Sequence, residues 1–464
     1  MNLKNCDILQ IPNFHAIKIK NKFFVNNNID GNWVLVNKEE YNILKLLKQP
    51  LIFKKLKEQL NSLEILDKLY DVGMLKINNS KKFIPKNLIL TKYPFHLVLN
   101  VTDRCNLICE YCYVNSNKNK KTITLNKAHK ILKELINLPN ERVHILFHGG
   151  EPLLEIDLIE KLYNYAKTEV KKLNKHITFS IQSNGTIFND QILEFLKNKD
   201  VKFSISFDVD KNTQNKLRKT ISGKGSYNQV IKTLEKLSKN NIHPHVNVVV
   251  SKDNYKKIDN FFSIFKKYNI TSFALNPLFG FGRSKVGISE LYYFICMKKL
   301  LEKLIAYNKT TDNKIYERNI NFLVKNLINL DYSYMCLSSP CGAGVATLSI
   351  DPEGNIFPCD ELVGCSEFFC GNIDNKNLRG VLKRAPIKKC KARTIKNIKE
   401  CKSCIWAHYC TAGCLSKSYH FNCSSCSKSN LCNYYKKMLK YLLYLVCIEK
   451  INLNLISKSE KNEK

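Results

Sequence analysis

No apolar run in this chain approaches the roughly 18 residues needed to span a bilayer, and the longest, YLLYLVCI at 441–448, reads as a packed C-terminal helix. The opening MNLKNCDILQIPNF has no basic segment followed by an apolar core and a small-residue cleavage site, so no secretory signal is read there. Without one, the 19 cysteines are not expected to form a disulfide framework; the expected setting is a reducing cytoplasm with thiols held for metal. Acidic residues are scarce too, 40 against 74 Lys and Arg, for a net charge of +34. The basic residues are mostly Lys, spread along the chain without the Arg clusters or interleaved aromatics of base readout. Nucleic acid therefore ranks last as their explanation, behind a Lys-rich composition with no special partner and behind an acidic peptide partner. No membrane partner is expected.

At 464 residues the chain has room for two or three domains. Residues 1–78 carry three strand-like runs (FHAIKIK, KFFVN, NWVLVN), helical patterns at KEEYNILKLLK and FKKLKEQLNSLEILDKLYDVG, and the strand-like MLKIN, an order that suggests a winged helix-turn-helix. A Lys- and Pro-containing linker is expected over 79–94. From 95 to 290, six strand-like runs (FHLVLNV, RVHILF, HITFSIQS, VKFSISF, HVNVVV, SFALNP) alternate with helical patterns, so an α/β fold with a parallel sheet is expected, doubly wound or a partial barrel. Connecting helices follow over 291–335. Thirteen of the 19 cysteines then fall between Cys336 and Cys432, in a loop-rich stretch expected to be organised by metal over 336–440, before a C-terminal helix and tail at 441–464.

Ligands of parallel α/β sheets gather at the strand C-termini, and that is where the polar motifs lie. After the first strand, NVTDRCNLICEYCYV places Cys105, Cys109 and Cys112 in C-x3-C-x2-C spacing around Tyr111. Three thiolates leave a four-coordinate zinc or a four-iron cluster one protein ligand short, and after Cys112 the next Cys or His is His129, followed by His144 and His148, none of them close in sequence. After the second strand, HGGEP offers Gly149 and Gly150 for close backbone approach and Glu151 as an acceptor for an ammonium. Ser183 and Asn184 follow the third strand as partners for hydroxyls. Ser206 and Asp208 follow the fourth, with Arg218 beyond them able to pair with a carboxylate. An ammonium, hydroxyls and a carboxylate together describe an amino-acid nucleoside. His148 is expected to pack and not to ligate.

Over residues 95–280 the C-x3-C-x2-C and Gly-Gly-Glu-Pro motifs resemble the radical S-adenosylmethionine (radical SAM) superfamily, whose core is a partial (β/α)6 TIM-like barrel. The resemblance implies a [4Fe-4S] cluster on Cys105, Cys109 and Cys112 whose open iron binds S-adenosyl-L-methionine (SAM). It also implies reductive cleavage of SAM to a hydrogen-abstracting 5′-deoxyadenosyl radical, with an electron donor such as flavodoxin or ferredoxin. Tyr111, Gly150, Ser206 and Arg218 match positions that contact SAM. The Cys-rich region resembles the SPASM domain of peptide-modifying members. By that pattern Cys336, Cys341, Cys359 and Cys414 hold one auxiliary [4Fe-4S] cluster, and Cys401, Cys404, Cys410 and Cys432 a second. Zinc is the competing occupant of such C-x2-C pairs. Asp360 matches a substrate base of sulfatase-maturing enzymes, and equally a structural turn residue.

Two features depart from the family. DVDKNTQNKLR keeps Asp208 and Arg218 but lacks the usual glycine and His-Asp pair, and Cys365, Cys370, Cys390, Cys423 and Cys426 exceed the SPASM pattern, most of them read as small apolar filler, with a ligand swap, especially from CSSC at 423–426, as the alternative. Residues 1–78 resemble the leader-binding winged-helix domains of ribosomal-peptide (RiPP) maturases, which take up an extended peptide beside a strand edge. The leading expectation is a maturase installing a crosslink, by preference a thioether, in a Cys-rich precursor peptide with an acidic leader. Formylglycine formation on a sulfatase is the second reading, and a non-enzymatic iron–sulfur electron-transfer or scaffold protein the third.

Overall fold

Along the six expected strands every second residue is large and apolar: Leu97, Leu99 and Val101, then Val143, Ile145 and Phe147, then Ile177, Phe179 and Ile181 are all buried. A strand's side chains alternate faces, so this set lies on one side, where it joins Ile131, Leu135, Ile159, Leu162 and Phe195 of the intervening helices in one core. The other set is largely polar (His96, His144, Gln182, Ser206, Asn247, Asn276, beside Val98, Leu146 and Val249) and lines a cavity. A parallel sheet covered on both faces would read as a continuous apolar run. The alternation seen here comes from an inner face left for a ligand.

The structure, a computed structural model, describes residues 3–11, 13–60, 63–81, 95–114, 116, 121–284 and 286–458. The expected linker lies outside these from residue 82 on, as does the tail beyond 458. Strands β1 (Phe95–Thr102), β2 (Arg142–Gly149), β3 (His176–Ser183), β4 (Val201–Ser206), β5 (His245–Val250) and β6 (Ser272–Pro277) are all parallel and pair in chain order. Without a reversal of order the sheet is singly wound, the partial-barrel alternative. Two additions extend it. Strand β7 (Tyr316–Glu317) pairs with β6, and β8 (Thr347–Ile350) pairs parallel with the free side of β1, leading into the antiparallel β9 (Asn355–Phe357) and β10 (Gly371–Asn372). The Cys-rich region thus begins as part of the core sheet.

The N-terminal residues form an antiparallel meander (Phe14–Ile19, Lys22–Asn27, Trp33–Val36) followed by helices Lys38–Leu46, Phe53–Lys57 and Glu64–Asp71. The first helix is closed by a capping box in which Asn37 and Glu40 satisfy each other's backbone N–H groups. The expected single helix over 53–73 is instead two. Leu9, Val25, Val36, Leu44, Leu56, Leu66 and Leu69 make a small core of their own. The unit also contacts the Cys-rich region. Fully buried Phe24 stacks on Trp406 at 5.3 Å, Asn26 Nδ2 donates to the Ile405 carbonyl (2.8 Å), and Tyr409 Oη donates to the Gly31 carbonyl (2.9 Å). The meander is therefore seated on the segment between Cys404 and Cys410. The C-terminal helix, Cys432–Cys447, starts ahead of the expected boundary at 441 and packs Tyr434 against Tyr293 of helix Glu290–Asn308. Among the described residues no helix is long and apolar enough to cross a membrane.

Candidate functional site

The Cys105–Cys112 loop leaves the end of β1 and is fastened from two sides. Backbone N–H groups of Gly150 and Glu151 donate to the carbonyls of Thr102 (2.7 Å) and Arg104 (2.8 Å). A Cβ on either glycine would run into those same carbonyl oxygens, and Gly149 sits at φ +126°, so only glycine permits the approach. On the far side Arg283 donates from its backbone to the Cys112 carbonyl (3.1 Å), from Nη1 to the Cys109 carbonyl (3.1 Å), and from Nη2 to the Ser116 carbonyl. Gly282, at φ +72°, lies against the Cys112–Tyr113 backbone. Neither Arg283 nor Gly282 was singled out in the sequence, although the closely spaced glycines of FGFGRSK were a usable signal.

The loop opens on a cavity of about 740 Å³. Its walls include Cys105, Cys109, Tyr111, Cys112, Gly149, Gly150, Ser183, Asn184, Ser206 and Arg218, so the structure brings these expected residues to one place. Their orientations refine the expectations. Glu151 is fully buried and is not part of this wall. Its carboxylate accepts from Ser183 Oγ (2.8 Å) and from the backbone of Asn184 (2.7 Å) and Leu153 (3.1 Å), and burial raises its pKa to about 7. It ties β2 to the loop after β3 instead of offering an acceptor to an ammonium. Arg218 is likewise engaged: Nε and Nη2 bind Asp208 at 3.0 and 3.3 Å, and its guanidinium lies 5.1 Å from the centre of the Tyr111 ring, whose hydroxyl also donates to Asp208. Asn184 Nδ2 reaches Asn106 Oδ1 (2.9 Å) and lies 3.8 Å from Cys105 Sγ.

Cys336, Cys341, Cys359, Cys414 and Asp360 line the same cavity. Asp360 accepts from Tyr113 Oη at 3.1 Å, and Tyr113 in turn lies 3.5 Å from His148 Nε2. His148 also approaches Asn100 (3.4 Å), and burial lowers its pKa. It packs at the cavity wall. The eight C-terminal cysteines separate into two mutually facing sets. Cys336, Cys341, Cys359 and Cys414 act on one another electrostatically, as do Cys401, Cys404, Cys410 and Cys432. Among the extra cysteines Cys370 and Cys390 are fully buried in apolar surroundings, whereas Cys423 and Cys426 are exposed.

Whether these sets suit anionic metal clusters can be tested on the charges around them. Arg393 is 2 % exposed. Its Nη atoms reach only the carbonyls of Gly413 (3.0 Å), Ala412 (2.8 Å) and Ser427 (3.3 Å) and the Ser418 hydroxyl (3.0 Å), and its Nε has no partner. Among the described residues no carboxylate pairs with it, yet it faces Cys401 electrostatically. A buried guanidinium without a counter-charge is costly, and a thiolate-held cluster would supply one. Thr411 Oγ1 and Asn430 Oδ1, beside Cys410 and near Cys432, are buried without partners as well. The cavity-side set has Lys417 and Arg318 nearby. Burial pushes the Cys105 and Cys336 thiols up to about 12 and those of Cys109 and Cys401 to about 11, so metal binding would have to displace protons there. Among the described residues no three ligating side chains are grouped for a single metal ion; a four-iron cluster takes its thiolates one to each iron and asks for a wider spread. The residues present fit the group.

Residues 99–264 match the family model of the radical SAM superfamily, and 341–405 that of the SPASM iron-sulfur cluster-binding domain. The chain is 32% identical over 282 residues to an uncharacterized protein of Methanocaldococcus jannaschii, covering 61% of this chain and 90% of that one. It is 26% identical to the radical SAM cyclopropyl synthase TigE of Paramaledivibacter caminithermalis, over 92% of this chain and 93% of that one. With a cysteine-type anaerobic sulfatase-maturating enzyme of Clostridium novyi it shares 25% identity over 68% of this chain and 87% of that one. In fold it is similar to anSMEcpe with bound AdoMet (TM-score 0.70, 21% identity, 80% of this chain, 97% of that one). It is also similar to Streptococcus suis SuiB bound to its precursor peptide SuiA (TM-score 0.57, 16% identity, 92% and 99%).

Proposed function

This chain belongs to the radical SAM superfamily and carries a SPASM iron–sulfur domain, and from that membership we propose that it is a maturase that crosslinks a ribosomally made precursor peptide, with a thioether as the bond formed. Membership makes it an enzyme with [4Fe-4S] clusters and SAM as cofactors, which removes the scaffold reading. The observation that carries the proposal is the single cavity. It has the Cys105–Cys112 loop on one part of its wall, Cys336, Cys341, Cys359 and Cys414 on another, and Asp360 among them.

Cys105, Cys109 and Cys112 would hold the SAM-binding cluster and the two sets of four the auxiliary ones. When bound, these groups supply the reducing electron, a hydrogen-abstracting deoxyadenosyl group and an acceptor for the electron left over. The chain's own residues do the rest. Arg283, Gly149 and Gly150 fix the loop, and the backbone of the two glycines lines the SAM end of the cavity. Joining a thiol to a carbon removes two hydrogens: one leaves as an atom, the other as a proton together with an electron. Asp360, oriented by the Tyr113 hydroxyl, takes that proton at its carboxylate.

Residues 1–78 dock the leader beside an edge of the N-terminal meander, and the excess of Lys favours an acidic one. Support comes from extent. The likeness to TigE and to SuiB with its peptide covers 92% of this chain, more than residues 79–464 alone could supply, whereas the sulfatase-maturating relative is matched over 68%.

The test is anaerobic incubation of the reconstituted chain with SAM, dithionite and any short Cys-containing peptide found encoded beside its gene, with a sulfatase-derived Cys peptide in parallel. Formation of 5′-deoxyadenosine with loss of two hydrogens from a precursor peptide is expected. Conversion of the sulfatase peptide's cysteine to formylglycine would move the assignment to the second reading, and absence of 5′-deoxyadenosine under every condition would sink both.

A further inference from the structure

Five polar side chains on the inner face of the barrel form one continuous hydrogen-bonded chain across four strands. Ser206 Oγ accepts from Gln182 Nε2 (2.9 Å), Gln182 Oε1 from Asn247 Nδ2 (2.6 Å), Asn247 Oδ1 from Asn276 Nδ2 (3.4 Å), and Asn276 Oδ1 from Arg318 Nη2 (3.3 Å). All five line the cavity. Ser206 stands at the C-terminal end of β4 and Arg318 opens the helix Arg318–Asn329, just after β7.

The direction of this chain follows from its cation. A guanidinium has donors only, so Asn276 must turn its carbonyl oxygen to Arg318 and its amide nitrogen to Asn247. That choice propagates. Asn247 presents oxygen to Asn276 and nitrogen to Gln182, and Gln182 presents oxygen to Asn247 and nitrogen to Ser206. The ambiguity of amide orientation is thereby removed at three successive residues. Ser206 is left as an acceptor toward Gln182, so its one proton is free to be donated, and among the described residues no protein acceptor is recorded for it. Hydrogen bonds aligned head to tail polarise one another, and with a cation at the head the positive end of the chain is the Ser206 proton. An anionic acceptor suits it best. Arg218, the other cation at this end, is held on Asp208.

We propose that Arg318 is a positioning residue for SAM, acting through Asn276, Asn247 and Gln182 to hold Ser206 as a donor to the SAM carboxylate. The assignment rests on the functional reading above. It makes SAM affinity depend on a side chain four hydrogen bonds away from the donor itself.

The test measures dissociation constants by equilibrium dialysis on the reconstituted full chain, for SAM and for decarboxylated SAM, with iron content as the check on folding. Arg318→Met frees the amides to turn. Gln182→Glu, which can accept but not donate, captures the Ser206 proton. Asn247→Leu cuts the chain far in sequence from every cysteine. Each should weaken SAM about tenfold, the size of one charge-assisted hydrogen bond, and leave decarboxylated SAM within about twofold of the wild type. In a Ser206→Ala background none of the three should cost SAM affinity further.

Unchanged SAM affinity in Asn247→Leu and Gln182→Glu would overturn the proposal. So would equal losses for both ligands, or a Gln182→Glu loss that persists without Ser206, which would mark plain charge repulsion. Wild-type protein that binds neither ligand would overturn the functional reading itself, and the proposal with it.

Discussion

The Tyr113 hydroxyl donates to Asp360 Oδ2 across 3.1 Å, joining the residue after the last cysteine of the first loop to the residue after Cys359. Two regions far apart in sequence meet at this bond, on the wall of the shared cavity. Tyr113→Phe removes the orienting hydroxyl but leaves the carboxylate, and Asp360→Asn removes the base. Product formation should fall about tenfold in the first and by about a hundredfold or more in the second, while 5′-deoxyadenosine continues to form without product. Quantifying both compounds in the same reaction checks this. Equal loss of both in Asp360→Asn would mean that the residue serves SAM cleavage or folding instead.

Replacing Cys105, Cys109 and Cys112 together by Ala should abolish reductive SAM cleavage and remove about one cluster's worth of iron, leaving the rest in place. The expectation follows from the separation of the three cysteine sets on different segments. Iron counting on the purified variant, together with a 5′-deoxyadenosine assay, decides it. Loss of all the iron would show the clusters to be interdependent.

Cys432→Ala should leave SAM cleavage measurable while lowering product formation and solubility, because the second cysteine set has only a small apolar cluster of Ile398, Ala407 and Ala412 beside it and depends on its metal to order. Phe24→Ala should act on the same region from outside. Its ring is fully buried against Trp406, and truncation to Ala opens a cavity worth about 3–5 kcal/mol. Iron should therefore be lost first from the second auxiliary set, visible as a lower iron count and a lower thermal midpoint. A Phe24→Ala protein with full iron and unchanged stability would show the contact to be dispensable.

Glu317 is fully buried, and burial raises its pKa from 4.5 to about 7. Between those values the folded chain holds a proton that the unfolded chain has released, so stability falls as pH rises from about 5 to about 7 and levels off above. Glu317→Gln cannot titrate. The wild-type advantage over this variant should shrink by on the order of 2 kcal/mol between pH 5 and pH 7. Urea unfolding of both proteins at the two pH values measures it, and a constant difference would place the charge of Glu317 in contact with an unrecognised cation or solvent.

The strand pattern and the cysteine spacing were legible because both are local. Alternation along FHLVLNV or HITFSIQS is read within one window, and three thiols on one loop need no fold to be noticed. What stayed hidden depends on contacts far along the chain. TLSI at 347–350 is too short to show a period, and only pairing with β1 makes it the eighth strand. Glu151 reads as an available acceptor until the backbone of the loop after β3 arrives to occupy it. The direction of the Asn and Gln side chains inside the barrel exists only once Arg318 stands at the end of the row. The contact of residues 1–78 with the C-terminal region was hidden for a similar reason: the meander's apolar residues serve two cores, Val25 its own and Phe24 the main one, and sequence periodicity does not say which.

The seating of the meander on the Trp406–Tyr409 segment bears on how such proteins can be recombined. A cut at residue 78 would remove the surface on which the Ile405–Tyr409 segment packs, so residues 1–78 are not an interchangeable cartridge. A chimera that exchanged residues 1–78 would have to carry over the side of the meander that meets Ile405, Trp406 and Tyr409, at Phe24, Asn26 and Gly31.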